Sequence, residues 1–128
     1  MPPENQWETK DFSEIDIDSS ISNLKEGVPL PVVFTVRPVS EGGFFPGVES
    51  ERIEILTKAI ESEVSWLDLE MTMDPKQRGE LLEMAREKGC KIIASKHDIN
   101  GIPNSDEIVS FVKESQERST CIETFCRC

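Results

Sequence analysis

The stretch Lys91–Asp98, KIIASKHD, decides the fold class of this 128-residue chain. It opens as a short apolar run, Ile92-Ile93-Ala94, which is typical of a buried strand. It closes in polar residues that include His97, the only histidine. His97 is therefore expected where a strand gives way to a loop. An imidazole there can act as an acid or base near neutral pH, or it can simply end a core strand.

The rest of the chain alternates between strand-like and helix-like patterns. Period-two or continuous apolar runs predict strands at 12–18, 31–37, 66–70 and 91–95. Helical spacing and capping signals predict helices from Ser19 or Ser20 to Gly27, over 49–62, from Asp74-Pro75 to Gly89, and from a capping box at Asn104 and Glu107 onward. This alternation favours parallel strands that are joined by right-handed crossovers.

Charged residues at the strand ends favour one of two possible architectures. An open doubly wound sheet needs apolar residues on both strand faces, whereas a barrel mouth can be polar and catalytic. Arg37, Asp68 with Glu70, and His97 follow successive strands, which matches a barrel mouth. The prediction is an α/β fold, a partial (β/α)8 TIM barrel of about four to five β/α units with parallel strands.

The predicted domain occupies 12–114, between a disordered segment at 1–11 and an irregular, Cys-containing tail at 115–128. The tail carries Cys121, Cys126 and Cys128, whose C-x4-C-x-C spacing matches no zinc pattern, so no metal site is expected. Two carboxylates at Asp68 and Glu70 without a spaced histidine are also a weak metal motif.

The amino-acid composition limits the classes of partner that are expected. Fourteen Lys and Arg against twenty-five Asp and Glu give a net charge of −11, so neither nucleic acid nor an anionic membrane is an expected partner. The polar, Pro-containing start lacks the apolar core of a signal peptide, and no apolar run is long enough to span a bilayer. The predicted location is cytoplasmic.

Three stretches resemble one enzyme family. The segment 34–43, FTVRPVSEGG, resembles the F-T-x-R-x-x-x-E-G-G signature of type I 3-dehydroquinate dehydratase, a Schiff-base enzyme of the shikimate pathway. Leu67–Glu70 resembles the D-x-E strand of that family, and Ser95–Asp98 followed by Pro103 resembles its S-x-H-D loop. The similarity covers about residues 12 to 113.

The resemblance implies a hydro-lyase without a cofactor, in which a lysine forms an imine with 3-dehydroquinate. His97 would be the catalytic base and then acid, with Glu41 as its orienting partner. The resemblance also implies substrate-binding positions, namely Glu14, Arg37, Asp68 and Glu70. Glu14 and Asp18 would match the first glutamate and the aspartate of an E-x-R-x-D strand.

Two departures from the family pattern limit this expectation. Asp16 stands where that strand has arginine, and no lysine follows Lys113 although the imine lysine belongs on the next strand. Lys96 is expected to face away from His97, so it does not replace the imine lysine. The chain is then a weakly active or inactive dehydratase, or a non-catalytic half-barrel that serves in assembly or binding, for instance as a homodimer. The E-G-G loop argues against another lysine-imine lyase or aldolase.

Overall fold

A computed structural model of the protein describes residues 12–118 and 122–126. The described elements are four strands and four helices that alternate, with two short 3-10 turns. The strands are β1 (Val33–Phe34), β2 (Trp66–Glu70), β3 (Lys91–Ser95) and β4 (Ile122–Cys126). The helices are α1 (Ile17–Gly27), α2 (Glu49–Glu61), α3 (Pro75–Lys88) and α4 (Ser105–Arg118), and the 3-10 turns are Phe12–Glu14 and Val39–Glu41.

The strands form one parallel sheet in the order β1-β2-β3-β4. Each strand therefore pairs with the next strand along the chain, as in successive β/α units of a barrel. The predicted α/β class with parallel strands is confirmed, and so are the bounds of β2 and β3.

Local capping explains where the helices begin and end. Asp74 caps α3 by accepting from the backbone of Lys76 and Gln77, and Gly89 ends that helix in the left-handed conformation. Asn104 and Glu107 form the predicted capping box at α4, because each side chain accepts a backbone hydrogen bond from the other residue.

The two faces of the sheet differ in chemistry. Leu67, Leu69 and Ile92 are buried against the helices and belong to one apolar core. Asp68, Glu70 and Ser95 lie on the opposite side, which we call the polar face; the parallel register pairs Glu70 with Ser95. The strands thus carry the core on one side and the candidate chemistry on the other.

The strand predicted at 12–18 is wrong. The residues form the 3-10 turn Phe12–Glu14 and the start of α1, whose cap is Asp16 with its carboxylate accepting from Ser19 at 3.0 Å. Ile17 and Ile21 then fall one helical turn apart, and Ile21 is buried in the core. The capping interaction and this packing prevail over the alternating pattern.

The irregular tail predicted from residue 115 is also wrong where the chain is described. Helix α4 continues to Arg118, and β4 pairs in parallel with β3, with an irregularity in the ladder between Ile92 and Ala94. Pairing with β4 satisfies backbone groups at an edge that β3 would otherwise expose. The predicted disorder at 1–11 and the residues Cys121 and Cys128 lie outside the described residues. Within the described part, no helix is long and apolar enough to cross a membrane.

Candidate active site

Glu41 and His97 meet at the carboxyl ends of β1 and β3. Glu41 closes the 3-10 turn after β1, and His97 lies two residues beyond β3. His97 Nδ1 is 2.8 Å from Glu41 Oε2, and the backbone N–H of His97 donates to the same oxygen at 3.0 Å. Each side chain is only 3% exposed. The pair is therefore a carboxylate–imidazole unit that is shielded from water and joined by two hydrogen bonds.

Two glycines permit the turn that carries Glu41. Gly42 has a φ of 80°, a left-handed conformation that favours glycine. At Gly43 a Cβ would lie 2.1 Å from the carbonyl oxygen of Arg37, because the chain folds back and Gly43 N–H bonds Pro38 O. The E-G-G part of the signature is therefore a backbone requirement of this turn.

The hydrogen bonds fix the form of the imidazole. A carboxylate can only accept, so with Glu41 ionised the proton is on Nδ1. This leaves a lone pair on His97 Nε2, which is buried and has no hydrogen-bond partner in the described structure. A buried, unpaired basic nitrogen is costly in a folded protein, and it is the geometry that a general base requires.

Arg37 and Asp68 form a second polar group beside the pair. Arg37 Nη2 is 3.4 Å from Asp68 Oδ2, and Ser95 Oγ donates to the other oxygen, Oδ1. The Asp68 side chain is 6% exposed and that of Arg37 is 32% exposed. Both Asp68 oxygens are engaged, so the partly exposed Arg37 side chain is the more accessible member of this pair.

Glu70 forms an ion pair with a residue of α2, whereas the sequence predicts a substrate contact for it. Its Oε2 lies 2.8 Å from Arg52 Nη1, and Arg52 also bonds Glu49 and the carbonyl of Val36. Burial raises the pKa of the Glu70 carboxyl, and the Arg52 charge opposes that rise. Burial by itself lowers the pKa of Arg52, but Glu49 and Glu70 outweigh it and raise the value. Glu70 thus holds α2 to the sheet.

Glu14 has no hydrogen bond or ion pair to the site residues His97, Glu41 or Arg37 among the described residues. It ends the exposed turn before α1. Its predicted substrate-binding role depended on a strand that does not form. Lys96 is exposed and lines a cavity with residues of α4, on a different side from His97, as expected.

Three contributing residues were missed from the sequence. Thr72 Oγ1 donates to Glu41 Oε1, Ser95 holds Asp68, and Arg52 holds Glu70. Thr72 lies two residues beyond β2, at the same edge as the predicted site, and Ser95 is part of the quoted motif, so both carried a usable signal. Arg52 carried none, because a charged residue on an amphipathic helix is usually exposed.

The fold and the site together define a class of protein. Side chains from three successive parallel strand ends converge at one edge, which is where β/α-barrel enzymes place their chemistry. The described residues contain no cluster of three or more His, Cys, Asp or Glu that could hold a metal. The class is that of proteins built from β/α-barrel units, here with a carboxylate–histidine pair at the strand ends.

Comparisons with known proteins place the chain within that class. The model of the type I 3-dehydroquinase family matches residues 8–122. The 3-dehydroquinate dehydratase of Methanocaldococcus jannaschii is 30% identical over 118 residues, which cover 88% of this chain and 53% of the relative. That of Methanosarcina barkeri is 31% identical over 98 residues, 75% of this chain and 40% of the relative. The chain belongs to the type I 3-dehydroquinase family.

A solved structure agrees with this assignment. The crystal structure of the type I 3-dehydroquinate dehydratase of Clostridium difficile, with covalently modified comenic acid, superposes with a TM-score of 0.76 at 28% identity. The match covers 80% of this chain and 41% of that one. The fold is thus part of a TIM barrel, and the chain spans about half or less of the length of these relatives.

Proposed function

We propose that this chain supplies the acid–base part of a 3-dehydroquinate dehydratase site. The observation that carries the proposal is the His97–Glu41 pair, with Nδ1 bonded at 2.8 Å and Nε2 buried without a partner. A base placed this way can remove a proton from a carbon next to the substrate carbonyl. The same nitrogen, once protonated, can return the proton to the hydroxyl that leaves as water from the β-carbon.

Glu41 serves this cycle by holding the imidazole. Its carboxylate fixes the Nδ1–H tautomer and stabilises the imidazolium that forms when Nε2 takes the proton. The charge develops in a site that excludes water, where such electrostatic stabilisation is stronger than in solution. Glu41 does not need to accept the proton itself.

Arg37 is the proposed substrate contact. Its side chain is the partly exposed cation of the cluster, and the planar guanidinium donors suit a carboxylate or neighbouring hydroxyls. We assign Asp68 to orienting Arg37, since its oxygens are bonded to Arg37 and Ser95. We assign Glu70 to holding α2 through Arg52.

The proposed site lacks one group, the lysine that would form the imine. The family resemblance implies a lysine imine that makes the substrate C–H acidic, and a lysine nucleophile is the usual means to that end. No lysine follows Lys113 in the sequence, and β4, at 122–126, contains none. We propose that this chain by itself forms no imine and is inactive or only weakly active as a dehydratase.

Dehydratase assay and borohydride trapping test this proposal. The purified chain is incubated with 3-dehydroquinate, product formation is followed, and borohydride is added before intact-mass measurement, with a full-length family member as the positive control. We expect the control to give product and a trapped adduct, and this chain to give neither at the same concentration. An adduct on any lysine of this chain would contradict the proposal.

A second candidate function is a non-catalytic half-barrel that assembles with a partner. The sheet favours it, because β1 and β4 are both edge strands and Val33 on β1 is 49% exposed. A homodimer would cover such edges. The cytoplasmic location predicted from the sequence also stays a prediction.

A further inference from the structure

We propose that Thr72 is a positioning residue for the Glu41–His97 pair. This inference deepens the proposed function and rests on it, since positioning matters only if His97 acts as the base. Thr72 Oγ1 donates to Glu41 Oε1, the carboxylate oxygen that His97 does not use. No substrate contact is assigned to Thr72.

The geometry explains why that second oxygen matters. Both contacts from His97 reach Oε2, and rotation about the terminal torsion of Glu41, which is broad and roughly two-fold, would move that oxygen away from them. A donor on Oε1 restricts that rotation.

The loop that carries Thr72 is held on both sides. The N–H of Met71 donates to the carbonyl of Ser95 at 2.8 Å, and the N–H of Met73 donates to the carbonyl of Glu70 at 3.2 Å. Thr72 therefore lies between a bond to β3 and a bond to the end of β2. These bonds hold the backbone of Thr72, and from that position its hydroxyl reaches Glu41.

The arrangement ties together three strand ends. Glu41 follows β1, Thr72 follows β2 and His97 follows β3, and the Glu41 carboxylate receives a donor from each of the other two. A general base must hold its reacting nitrogen in a narrow geometry. Thr72 contributes to that geometry by fixing the carboxylate that fixes the imidazole.

The single histidine allows a direct test on the full chain. We would label the imidazole with 15N and compare the wild type with Thr72→Val, which keeps the shape and removes the hydroxyl, and with Thr72→Ser, which keeps the hydroxyl. In the wild type and Thr72→Ser we expect imidazole shifts of one dominant Nδ1–H tautomer. In Thr72→Val we expect a mixture with a substantial Nε2–H fraction. Unchanged imidazole shifts in a folded Thr72→Val protein would overturn the proposal.

A measurement on the unaltered chain complements the variants. Three-bond couplings should show Thr72 in a single χ1 rotamer, the one that directs Oγ1 to Glu41. Averaging of Thr72 over several rotamers in the folded wild type would also overturn the proposal. Neither readout needs substrate. The proposal on Thr72 can therefore fail while the dehydratase proposal stands, and the dehydratase proposal can fail while the proposal on Thr72 stands.

Discussion

At the scale of single residues, the Glu41 carboxylate is held by the hydroxyl of Thr72 and by the backbone and ring nitrogens of His97. The signature around Arg37 and Glu41 and the loop around His97 identified the residues, because their types and order are specific to one family. The position of Thr72 after β2 was a usable signal, but the sequence did not give the contact of its hydroxyl with Glu41. The predicted substrate contact of Glu70 stays a prediction, and its ion pair with Arg52 depends on how α2 packs, which the sequence does not show.

Two glycine-to-alanine substitutions give a matched pair of stability predictions at this scale. We expect Gly43→Ala to destabilise the protein by about 1–3 kcal/mol, because the new Cβ would meet a backbone carbonyl oxygen and the turn of Glu41 would have to move. Gly79→Ala, inside α3 with nothing within 4 Å, should instead stabilise it by about 0.5–1 kcal/mol. Urea unfolding measures both. Equal midpoints for the two variants would refute the turn argument.

A buried hydroxyl gives a second residue-scale prediction. Ser95→Ala removes the donor to Asp68 and leaves a buried carboxylate oxygen unpaired, so we expect a cost of about 1–3 kcal/mol. Ser110→Ala, at an exposed position of α4, is the control and should change stability by less than about 0.5 kcal/mol. Chemical denaturation of the two variants makes the comparison. A Ser95→Ala protein as stable as the control would argue against the Asp68 contact.

At the scale of elements, strong local signals predicted structure well and competing ones did not. The helix start at Asp74-Pro75 and the capping box at Asn104 specify their own conformation, so both are confirmed. The alternation over 12–18 was a strand signal in competition with Asp16 as a helix cap. The cap prevailed because it satisfies a backbone N–H and lets Ile21 reach the core.

The cap of α1 gives a pH prediction. The backbone N–H of Ser19 and then its hydroxyl lower the pKa of Asp16 below its ordinary value of 3.8. A carboxyl with a lower pKa in the folded state stabilises the fold above 3.8 and loses that effect as the pH falls through the folded-state pKa. Helical content between pH 5 and pH 2 should therefore fall less steeply in Asp16→Asn, which can cap but cannot titrate. Identical acid transitions would contradict this role.

The position of β4 gives an element-scale test of the missing amine. If β4 borders the site and only an amine is lacking, single lysines introduced along 122–126 should yield borohydride-stable adducts with 3-dehydroquinate from one side of the strand. Positions on the other side are the internal controls. Intact-mass analysis reads the result, and no adduct at any of the five positions would count against this placement of the site.

At the scale of the whole molecule, the sheet has two edges and the chain has a strong negative charge. The sequence predicted a partial barrel with parallel strands from the charged strand ends, but it placed one strand wrongly at 12–18 and missed β4. It could not say what covers the polar face. Exposed edges favour association, whereas a charge of −11 opposes it.

These opposing effects predict a salt-dependent oligomer. Salt screens the repulsion between like-charged copies, so the fraction of dimer should rise between low and high ionic strength. Light scattering coupled to size-exclusion chromatography measures it across a range of protein concentration. A soluble monomer that melts cooperatively and does not change with salt would exclude the half-barrel dimer.

The measurement that most directly tests the central claim is a titration of 3-dehydroquinate into the chain with its only histidine labelled. If His97 is the base of a substrate site, its imidazole resonances will shift saturably, and Arg37→Ala will weaken the effect at least tenfold. Glu41→Gln will change the starting tautomer. The contrary result is an unchanged imidazole signal in the folded chain at substrate concentrations that saturate a full-length family member.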